Sequence, residues 1–370
     1  FLMRCKSISQ KLYIVNFPVF FLKNFQMEQI QRELSNWYRI HKRPLPWRET
    51  TNPYFIWLSE IILQQTRVEQ GMAYYFKFIN AFPTVFDLAK ADEQVVLNLW
   101  QGLGYYSRAR NLHRTAKQIV EEFDGVFPDS YEGLLKLKGI GPYTAAAIAS
   151  FSFDLPHAVL DGNVFRVLSR LHNWDAPINS TQGKKDFEKF ANELLDRQNP
   201  GLFNQAMMEF GALHCKPAQP LCGECPLTVY CLGFAQKTIG ELPIKLKKQS
   251  VRQRFFVFEL MQPKKGWMFL QKRNEKDIWQ HLYQFPLKEF QSSVEKELYL
   301  ASVQSSFRSK EYRHVLSHQH LFCHFIVRDA TPQEDGELVQ IEDLHQYPIP
   351  RAIDRFLEDY GLDIFHSQAR

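Results

Sequence analysis

The sequence predicts a multidomain protein in which an all-α domain with a cysteine-rich loop precedes an α/β domain. Three observations predict this. Apolar residues recur at spacings of three and four from Met27 to about Thr238. Four cysteines fall within seventeen residues, between Cys215 and Cys231. From Phe255 onward the apolar period changes to two, as in strands. A chain of 370 residues is long enough for two or three hydrophobic cores.

Composition and charge exclude some classes of protein. Apolar residues make up 45% and charged residues 23% of the chain, which argues against disorder. No apolar run approaches the roughly 18 to 20 residues of a membrane span, so we expect no membrane association. The net charge is +5, but residues 329–370 carry ten acids and three bases, so the other 328 residues carry about +12. This concentration of charge favours a polyanionic partner.

The first 26 residues contain four bases and no acid. A signal peptide fits poorly, because the apolar stretch is short and contains Pro18. An acid-free transit peptide is an alternative. Since Met27 stands directly before a strongly patterned helix, we expect residues 1–26 to be an extension that is disordered or not native.

The segment that follows Asn52 and Pro53 predicts a capped helix that is apolar around most of its circumference. Glu60 lies in its middle, and burial there would raise the pKa of the carboxyl group, as a general acid near neutral pH requires. The alternative is a glutamate that reaches solvent or a buried arginine. Gln64, one turn later, would share its face and favours a polar pocket.

Residues 134–151 contain two glycines, Gly139 and Gly141, directly before an alanine-rich helix. Such a turn exposes backbone N–H groups at a helix N-terminus, where phosphate binds well, and Lys136 and Lys138 add positive charge. A turn between packed helices is the alternative. The flanking leucines and the Pro-Tyr-Thr that follows favour a helix-hairpin-helix motif.

Asp161 stands just before an amphipathic helix, where capping is its default role. A functional alternative is a carboxylate that the helix dipole and local N–H donors hold ionised while Glu60 stays protonated. Two carboxyl groups with separated pKa values define an acid and an anion. The sequence leaves open whether the two lie close together.

The cysteine spacing is Cys-x6-Cys-x2-Cys-x5-Cys. Zinc sites usually show two close pairs or mixed histidine ligands, so this spacing favours a [4Fe-4S] cluster over zinc. Its dense placement in a long chain also fits a reducing compartment better than a disulfide framework does. We expect the cluster to shape a DNA-facing loop, and its ligands to be Cys215, Cys222, Cys225 and Cys231.

The segment from Gly102 to Lys117 contains two tyrosines and four bases, Arg108, Arg110, Arg114 and Lys117, and no acid. Tyr105 and Tyr106 follow a glycine turn and could enter a base stack, although core packing is the commoner fate of tyrosines. Residues 239–254 predict a basic linker. Strands are predicted at Phe255, Trp267 and His320, and a closing helix at Arg351–Tyr360.

Together these residues resemble the adenine DNA glycosylases of the MutY family, within the helix-hairpin-helix glycosylase superfamily. The resemblance is dense from about Met27 to Cys231. It is carried by seven features in order: LPWR (45–48), SEIILQQTRVEQ (59–70), GLGYYSRARNL (102–112), LKGIGPYTA (137–145), LDGNVFRVLSRL (160–171), FNQAMMEFGALHC (203–215) and the cysteine spacing.

The resemblance implies base excision repair: hydrolysis of the N-glycosidic bond of adenine mispaired with 8-oxoguanine or guanine in double-stranded DNA. It implies that Glu60 protonates the adenine, that Asp161 stabilises the cationic sugar and that Tyr143 lies near that sugar. Base-binding and duplex-contacting roles are implied for Trp47, Arg48, Gln205, Gln65, Thr66 and Tyr105, with Gly139 and Gly141 on the phosphate backbone.

The alternative is a glycosylase/lyase of the endonuclease III type for oxidised pyrimidines. In that family the position of Tyr143 is a lysine that attacks the sugar. A phenol cannot form the Schiff base, so the sequence favours a monofunctional enzyme, or one with weak lyase activity. Two rival classes remain. A non-catalytic iron-sulfur protein that only binds damaged DNA would lack Glu60 or Asp161, and both are present. A nucleotide pyrophosphatase would require a metal-binding helix.

Residues 255–370 resemble the Nudix-like domain of the same family, and Ser317 and His318 match its loop that reads 8-oxoguanine. Leu316 replaces a phenylalanine often found there, and the segment 287–300 lacks the glutamate pattern that binds magnesium. We expect recognition without pyrophosphate hydrolysis. The expected organisation is residues 27–238 as catalytic domain, 239–254 as linker and 255–370 as recognition domain, in a cytoplasmic, nucleoid-associated bacterial monomer.

Overall fold

The computed structural model describes residues 17–246, 251–328 and 335–361, with side chains of the first helix from Gln26 onward. The expectation for residues 1–26 therefore falls largely outside the described residues, although the first helix begins at Phe17. Part of the predicted linker, residues 247–250, lies outside them too. Contacts divide the chain into two compact units, residues 1–51 with 145–246 and residues 52–144 with 247–370.

Residues 17–246 form helices and turns, and the structure describes no strand among them, as predicted. The helices are α1 (Phe17–His41), α2 (Pro53–Ile62), α3 (Val68–Ala81), α4 (Val85–Lys90), α5 (Glu93–Leu99), α6 (Ser107–Phe123), α7 (Tyr131–Leu135), α8 (Pro142–Phe153), α9 (Gly162–His172), α10 (Thr181–Leu194), α11 (Pro200–Leu213) and α12 (Leu232–Ala235).

The first unit has a core built from one face each of α1, α9, α10 and α11. Leu34, Leu168, Phe187 and Phe210 are at most 1% exposed there. Apolar residues spaced by three and four on each helix give the face that must be buried. The cysteines of the loop after α11 pack against the edge of this core.

The second unit contains α2 to α7 and the C-terminal α/β part. Its helical core includes Trp57, Phe78 and Trp100, each at most 1% exposed. Trp100 meets the ring of Phe78 edge-on at 5.7 Å. The boundary between the two units falls within α8.

The C-terminal part has strands β1 (Arg252–Met261), β2 (Trp267–Lys272), β3 (Tyr283–Gln284), β4 (Leu287–Phe290), β5 (Phe307–Arg308), β6 (Tyr312–Val315), β7 (Gln319–Arg328) and β8 (Glu337–Gln340), with helices α13 (Ser293–Ser302) and α14 (Arg351–Tyr360). One sheet has the order β4-β1-β7-β5, with β6 also paired to β7, and the other has the order β3-β2-β8.

The long strands β1 and β7 run parallel, from Arg252 opposite Gln319 to Met261 opposite Arg328. Their buried faces receive α14, whose Phe356 stacks on Phe325 at 4.1 Å. The period of two and the closing helix are confirmed at the predicted places. No helix among the described residues is long and apolar enough to cross a membrane. The predicted domain limits remain predictions, and β1 begins inside the predicted linker.

Candidate functional site

The carboxyl group of Glu60 is paired with the phenol of Tyr143. Asn52 caps α2 by accepting a hydrogen bond from the Tyr54 amide, with Pro53 in the first turn, as predicted. Glu60 lies in the last two turns of α2 and is 7% exposed. The Tyr143 hydroxyl, on the first turn of α8, donates to Glu60 Oε2 at 2.6 Å. The structure therefore brings together two of the three predicted catalytic residues.

Gln64, predicted to share the face of Glu60, lies near the same helix. Its side-chain nitrogen is 3.5 Å from the Thr144 hydroxyl, one residue after Tyr143. Thr144 is buried, so this contact gives its hydroxyl a polar partner in the turn after α2. Two hydrogen bonds thus join the C-terminal end of α2 and the residues after it to the first turn of α8, and the predicted polar pocket stays a prediction.

Gln65 and Tyr105 each adopt a left-handed backbone. Their φ angles are 57° and 50°, in a region that side-chain-bearing residues seldom occupy. Both are exposed, Tyr105 at 44%, whereas Tyr106 packs into the interior. Thr66 closes the turn that contains Gln65, because its amide donates to Leu63 O at 3.2 Å. Strained, exposed polar and aromatic residues of this kind favour a ligand-contacting role.

The turn between α7 and α8 is the predicted hairpin. Gly139 has a φ of +80°, and a Cβ there would lie 2.7 Å from Asn111 Cβ, so both backbone conformation and space require glycine. Gly141 faces open space before α8. Lys138 is exposed, and its amide donates to Gln118 Oε1 at 2.9 Å. The hairpin is thereby fixed on α6, with its glycines at the surface.

Tyr105, Ser317 and His318 line one cavity of about 360 Å³ in the second unit. Ser317 and His318 lie in the short turn between β6 and β7, where the Leu316 amide donates to Gln319 O at 2.8 Å. Leu316, the residue that departs from the family pattern, lines the same cavity. Two predicted readers of the opposite base thus lie beside a predicted duplex-contacting tyrosine.

The cavity wall from Asp277 to Trp279 is held by contacts to the helices. Arg110 of α6 donates to Gln280 O at 2.7 Å. The ring of His281 contacts the carboxylate of Glu93 on α5. Sequence reasoning missed these contacts, because they join residues about 170 to 190 positions apart.

In the first unit, Arg48 and Gln205 join a network of polar side chains. Arg48 makes two hydrogen bonds to Glu209, at 3.0 and 2.8 Å. Arg43 makes a second pair to the same carboxylate, at 2.8 and 2.7 Å. Tyr38 donates to Gln205 Oε1 at 2.7 Å, and the Arg48 guanidinium lies 5.6 Å from its ring. Trp47 is buried beside this network, 8% exposed.

Glu209 is the residue of this network that sequence reasoning missed. Burial opposes its ionisation, but the hydrogen bonds from Arg43 and Arg48 outweigh burial and lower its pKa to about 2. The sequence did contain a signal for Glu209, because Gln205 and Glu209 are four residues apart on α11 and therefore share a helix face. The carboxylate fixes the orientation of Arg48 at neutral pH.

Asp161 caps α9, as its default role predicts. Its Oδ1 accepts from the amides of Asn163 and Val164 at 2.9 and 2.7 Å, and its Oδ2 accepts from the Asn163 side chain at 2.7 Å. The predicted donors are thus present, but burial outweighs them and raises the pKa of Asp161 above its ordinary value. Burial therefore opposes the predicted ionisation of Asp161, which its donors favour, and the ionised state of Asp161 stays a prediction. Asp161 belongs to the first unit and Glu60 to the second.

The four clustered cysteines line a single cavity in the first unit. Its lining residues include no carboxylate. The Arg170 guanidinium, 2% exposed on α9, lies 3.4 Å from Cys215 Sγ and donates to Lys216 O at 2.7 Å. One turn earlier, Arg166 donates to Cys215 O at 2.8 Å. Four sulfur donors beside buried cations fit a negatively charged metal-thiolate centre.

Two further features of this cavity concern its capacity to hold a metal. Burial raises the pKa of the Cys225 thiol to about 11, so a metal ion bound there would have to displace the thiol proton. The buried Nε2 of His214, which lines the cavity, has no hydrogen-bond partner among the described residues.

A second group of possible metal ligands lies in the α/β part. Atoms of Glu297, Glu311 and His324 lie within 4.8 Å of one another. However, the buried ammonium of Lys296 pairs with Glu311, and Arg308 donates to Glu297 at 2.7 Å. Burial, with Lys296 and Arg308 nearby, lowers the pKa of His324 to about 4. We interpret the group as an ion-pair network on the sheet.

Comparison with known proteins matches the two parts of the chain to two families. Residues 58–196 match the HhH-GPD superfamily of base excision DNA repair proteins, and residues 257–359 match the NUDIX domain. These matches confirm the predicted combination of a helical glycosylase domain and a Nudix-like domain.

Relatives match over long stretches. The adenine DNA glycosylase of Buchnera aphidicola subsp. Baizongia pistaciae is 37% identical over 297 residues, which cover 78% of this chain and 83% of the relative. That of Rattus norvegicus is 45% identical over 221 residues, or 57% of this chain and 43% of the relative. A solved structure of a thermostable thymine-DNA glycosylase superimposes with a TM-score of 0.54 at 26% identity, covering 58% of this chain and 99% of that one.

Proposed function

This chain belongs to the adenine DNA glycosylase family, and we propose that it hydrolyses the N-glycosidic bond of adenine mispaired with 8-oxoguanine in double-stranded DNA. It is a DNA glycosylase of base excision repair, a hydrolase acting on N-glycosyl bonds. The mispair as substrate and the roles of individual residues are our proposals. The observation that carries them is the hydrogen bond from the half-buried Tyr143 to the buried carboxyl group of Glu60.

In the proposed mechanism the adenine leaves the base stack, because its glycosidic bond is out of reach inside a duplex. Glu60 donates a proton to a ring nitrogen, the bond between that base and C1′ breaks, and its electron pair stays on the purine. Water then adds to C1′ and gives up a proton to Glu60. The hydrogen bond from Tyr143 holds the carboxyl group in one orientation through both proton transfers.

We propose that Asp161 stabilises the positive charge that develops on the sugar. Its three hydrogen bonds hold the carboxyl group in one orientation at the start of α9. A carboxylate opposite an oxocarbenium-like sugar is the second half of a two-carboxyl mechanism.

The opposite base is recognised by the cavity that Tyr105, Ser317 and His318 share. Polar side chains beside an aromatic ring suit an oxidised purine, which combines a stacking face with additional hydrogen-bonding groups. Gln65 and Thr66 contact the duplex from the turn after α2. The exposed hairpin with Gly139 binds phosphate through its amides.

The same geometry favours hydrolysis over strand cleavage. A lyase needs an amine nucleophile at the sugar, and Tyr143 supplies a phenol that is already engaged with Glu60. We therefore propose a monofunctional glycosylase. We also propose that it acts as a monomer.

We propose that the four clustered cysteines hold a [4Fe-4S] cluster, which supplies a structural cross-link. Arg170 donates to Lys216 O, directly after the first cysteine of the loop, and at 3.1 Å to Ile239 O, beyond the last cysteine. The loop is thereby tied to α9, the helix that Asp161 caps.

Glu60→Gln tests the proposal. The amide keeps the shape and an acceptor for Tyr143 but has no proton to donate, so we expect single-turnover adenine release from an adenine:8-oxoguanine duplex to fall by at least about 10²-fold. Binding of the same duplex should change little. Glu121→Gln, at an exposed position of α6, is the control and should retain full activity. Near-normal adenine release by Glu60→Gln would remove Glu60 from its role.

A further inference from the structure

The guanidinium of Arg108 caps the helix that carries Glu60. Arg108 is the second residue of α6, and its Nη1 donates to Ile61 O at 2.9 Å, Ile62 O at 3.2 Å and Gln64 O at 2.6 Å. The first two carbonyls belong to the last turn of α2, where backbone acceptors lack partners within the helix, and the third belongs to the turn that follows α2. A cation also interacts favourably with the helix dipole there.

The same guanidinium holds a second loop. Its Nη2 contacts Leu103 O at 3.4 Å and Gly104 O at 3.3 Å. Its central carbon lies 5.7 Å from the ring of Tyr105 and 5.0 Å from the ring of Trp100. Since Trp100 is fully buried, it anchors the arginine in the core.

Each loop leads directly into a residue with a left-handed backbone. Gln64 precedes Gln65, with a φ of 57°, and Gly104 precedes Tyr105, with a φ of 50°. Such conformations persist only where surrounding contacts impose them. Arg108 donates to both preceding carbonyls, although Gln64 O also accepts from the Thr66 hydroxyl at 3.4 Å and Gly104 O from Trp100 Nε1 at 3.0 Å. Of these three side chains, Arg108 is the one that bridges both loops. A lysine could not reproduce its contacts, since an ammonium lacks the planar fork that reaches two loops at once.

We propose that Arg108 is a positioning residue that sets Gln65 and Tyr105 together for entry into the DNA duplex. It acts through these two residues and touches neither the adenine nor the sugar. Loss of the planar guanidinium therefore slows the opening of the base stack more than it slows cleavage of the N-glycosidic bond. The inference rests on the proposed function, because it takes Gln65 and Tyr105 as duplex-contacting residues.

The test uses the full chain with its metal centre. The duplex carries the target adenine opposite 8-oxoguanine, and a 2-aminopurine stands next to that adenine. Fluorescence of 2-aminopurine rises when its neighbour leaves the stack. For Arg108→Lys we expect the rate of this rise to fall by at least 10-fold, and KM for adenine release to rise more than kcat falls. Arg197→Lys, at an exposed position of the first unit, is the matched control and should behave as the unsubstituted protein.

A double-mutant cycle separates positioning from a general loss of structure. If Arg108 acts through the two loops, Arg108→Lys should change the rate less than twofold in a protein that already carries Gln65→Ala and Tyr105→Ala. An undiminished 10-fold effect in that background would overturn the proposal, as would a normal fluorescence rise in Arg108→Lys alone. Arg108→Gln replaces the lysine variant, with the same expectations, if the latter does not fold.

The unsubstituted protein distinguishes the two levels of the argument. Absence of both adenine release and a fluorescence rise in that protein would contradict the proposed function. Release and a fluorescence rise that are normal both there and in Arg108→Lys would contradict only the positioning role.

Discussion

Replacing Glu209 by glutamine tests whether the carboxylate between Arg43 and Arg48 organises the first unit. Glutamine has nearly the same shape, so the substitution removes charge without leaving a cavity. It leaves two guanidinium groups around a neutral amide that is 1% exposed. Five hydrogen bonds to a charged acceptor, one of them from the Arg43 amide, become at most two to a neutral carbonyl oxygen.

The expected loss of stability follows from the pKa of Glu209. Its pKa of about 2 in the folded protein lies roughly 2.5 units below the ordinary value of 4.5. At about 1.4 kcal/mol per unit, ionisation contributes about 3 kcal/mol to the free energy of unfolding. This agrees with the roughly 3 to 5 kcal/mol lost when one partner of a buried ion pair is removed.

The sign of the pH dependence is fixed, because the folded-state pKa is the lower one. The contribution is fully present above pH 4.5 and is lost as the pH falls toward 2. The deficit of Glu209→Gln relative to the unsubstituted protein should therefore be about 3 kcal/mol at pH 7 and shrink to about 1 kcal/mol near pH 3.

Urea unfolding of both proteins at several pH values measures this deficit. Glu188→Gln, at an exposed position of α10, is the control and should lie within about 0.5 kcal/mol of the unsubstituted protein. A Glu209→Gln deficit below about 1 kcal/mol at pH 7, or one that does not change with pH, would refute the assignment of the low pKa to this pair.

Three further predictions concern other parts of the chain. Tyr143→Lys places an amine beside Glu60 and should gain strand-cleaving activity, so borohydride should trap a covalent DNA adduct; absence of any adduct would contradict the position of Tyr143 at the sugar. Cys225→Ser removes one of four metal ligands and should lower bound iron and visible absorption in the purified protein; unchanged iron would exclude this cysteine as a ligand. Lys138→Met should reduce the slope of log K against log salt concentration for duplex binding by about 1, and an unchanged slope would place Lys138 away from phosphate.

The local patterns of the sequence predicted the elements well. The closing helix has the predicted limits Arg351–Tyr360, and the Asn52 cap of α2 is present with the expected hydrogen bond. The strands at Phe255, Trp267 and His320 fall within β1, β2 and β7. These features depend on neighbours within a few residues, through turn chemistry and apolar period, so that the sequence contains the information directly.

The parts that could not be predicted depend on distant residues. Glu209 meets Arg43 across 166 positions and Arg48 across 161 positions of the chain. Arg108 meets Ile61 O across 47 positions. At Asp161 the local donors were predicted, but the pKa follows burial, which only the folded chain determines. The family resemblance named the candidate site residues but did not name the distant residues that orient them.

The network around Glu209 is better explained by the need to orient Arg48 than by a contribution to the free energy of unfolding. Buried ion pairs are often no more stabilising than apolar side chains of the same volume, because removing charge from water costs nearly what the pair contributes. The deficit expected for Glu209→Gln therefore measures two charges left without a partner and not the net contribution of the network. What apolar residues could not supply is a fixed direction for Arg48, whose guanidinium also lies against the ring of Tyr38 while that tyrosine donates to Gln205. The family resemblance implies base-binding roles for Arg48 and Gln205, and we propose that the polar network serves these roles by holding their hydrogen-bonding groups in one arrangement.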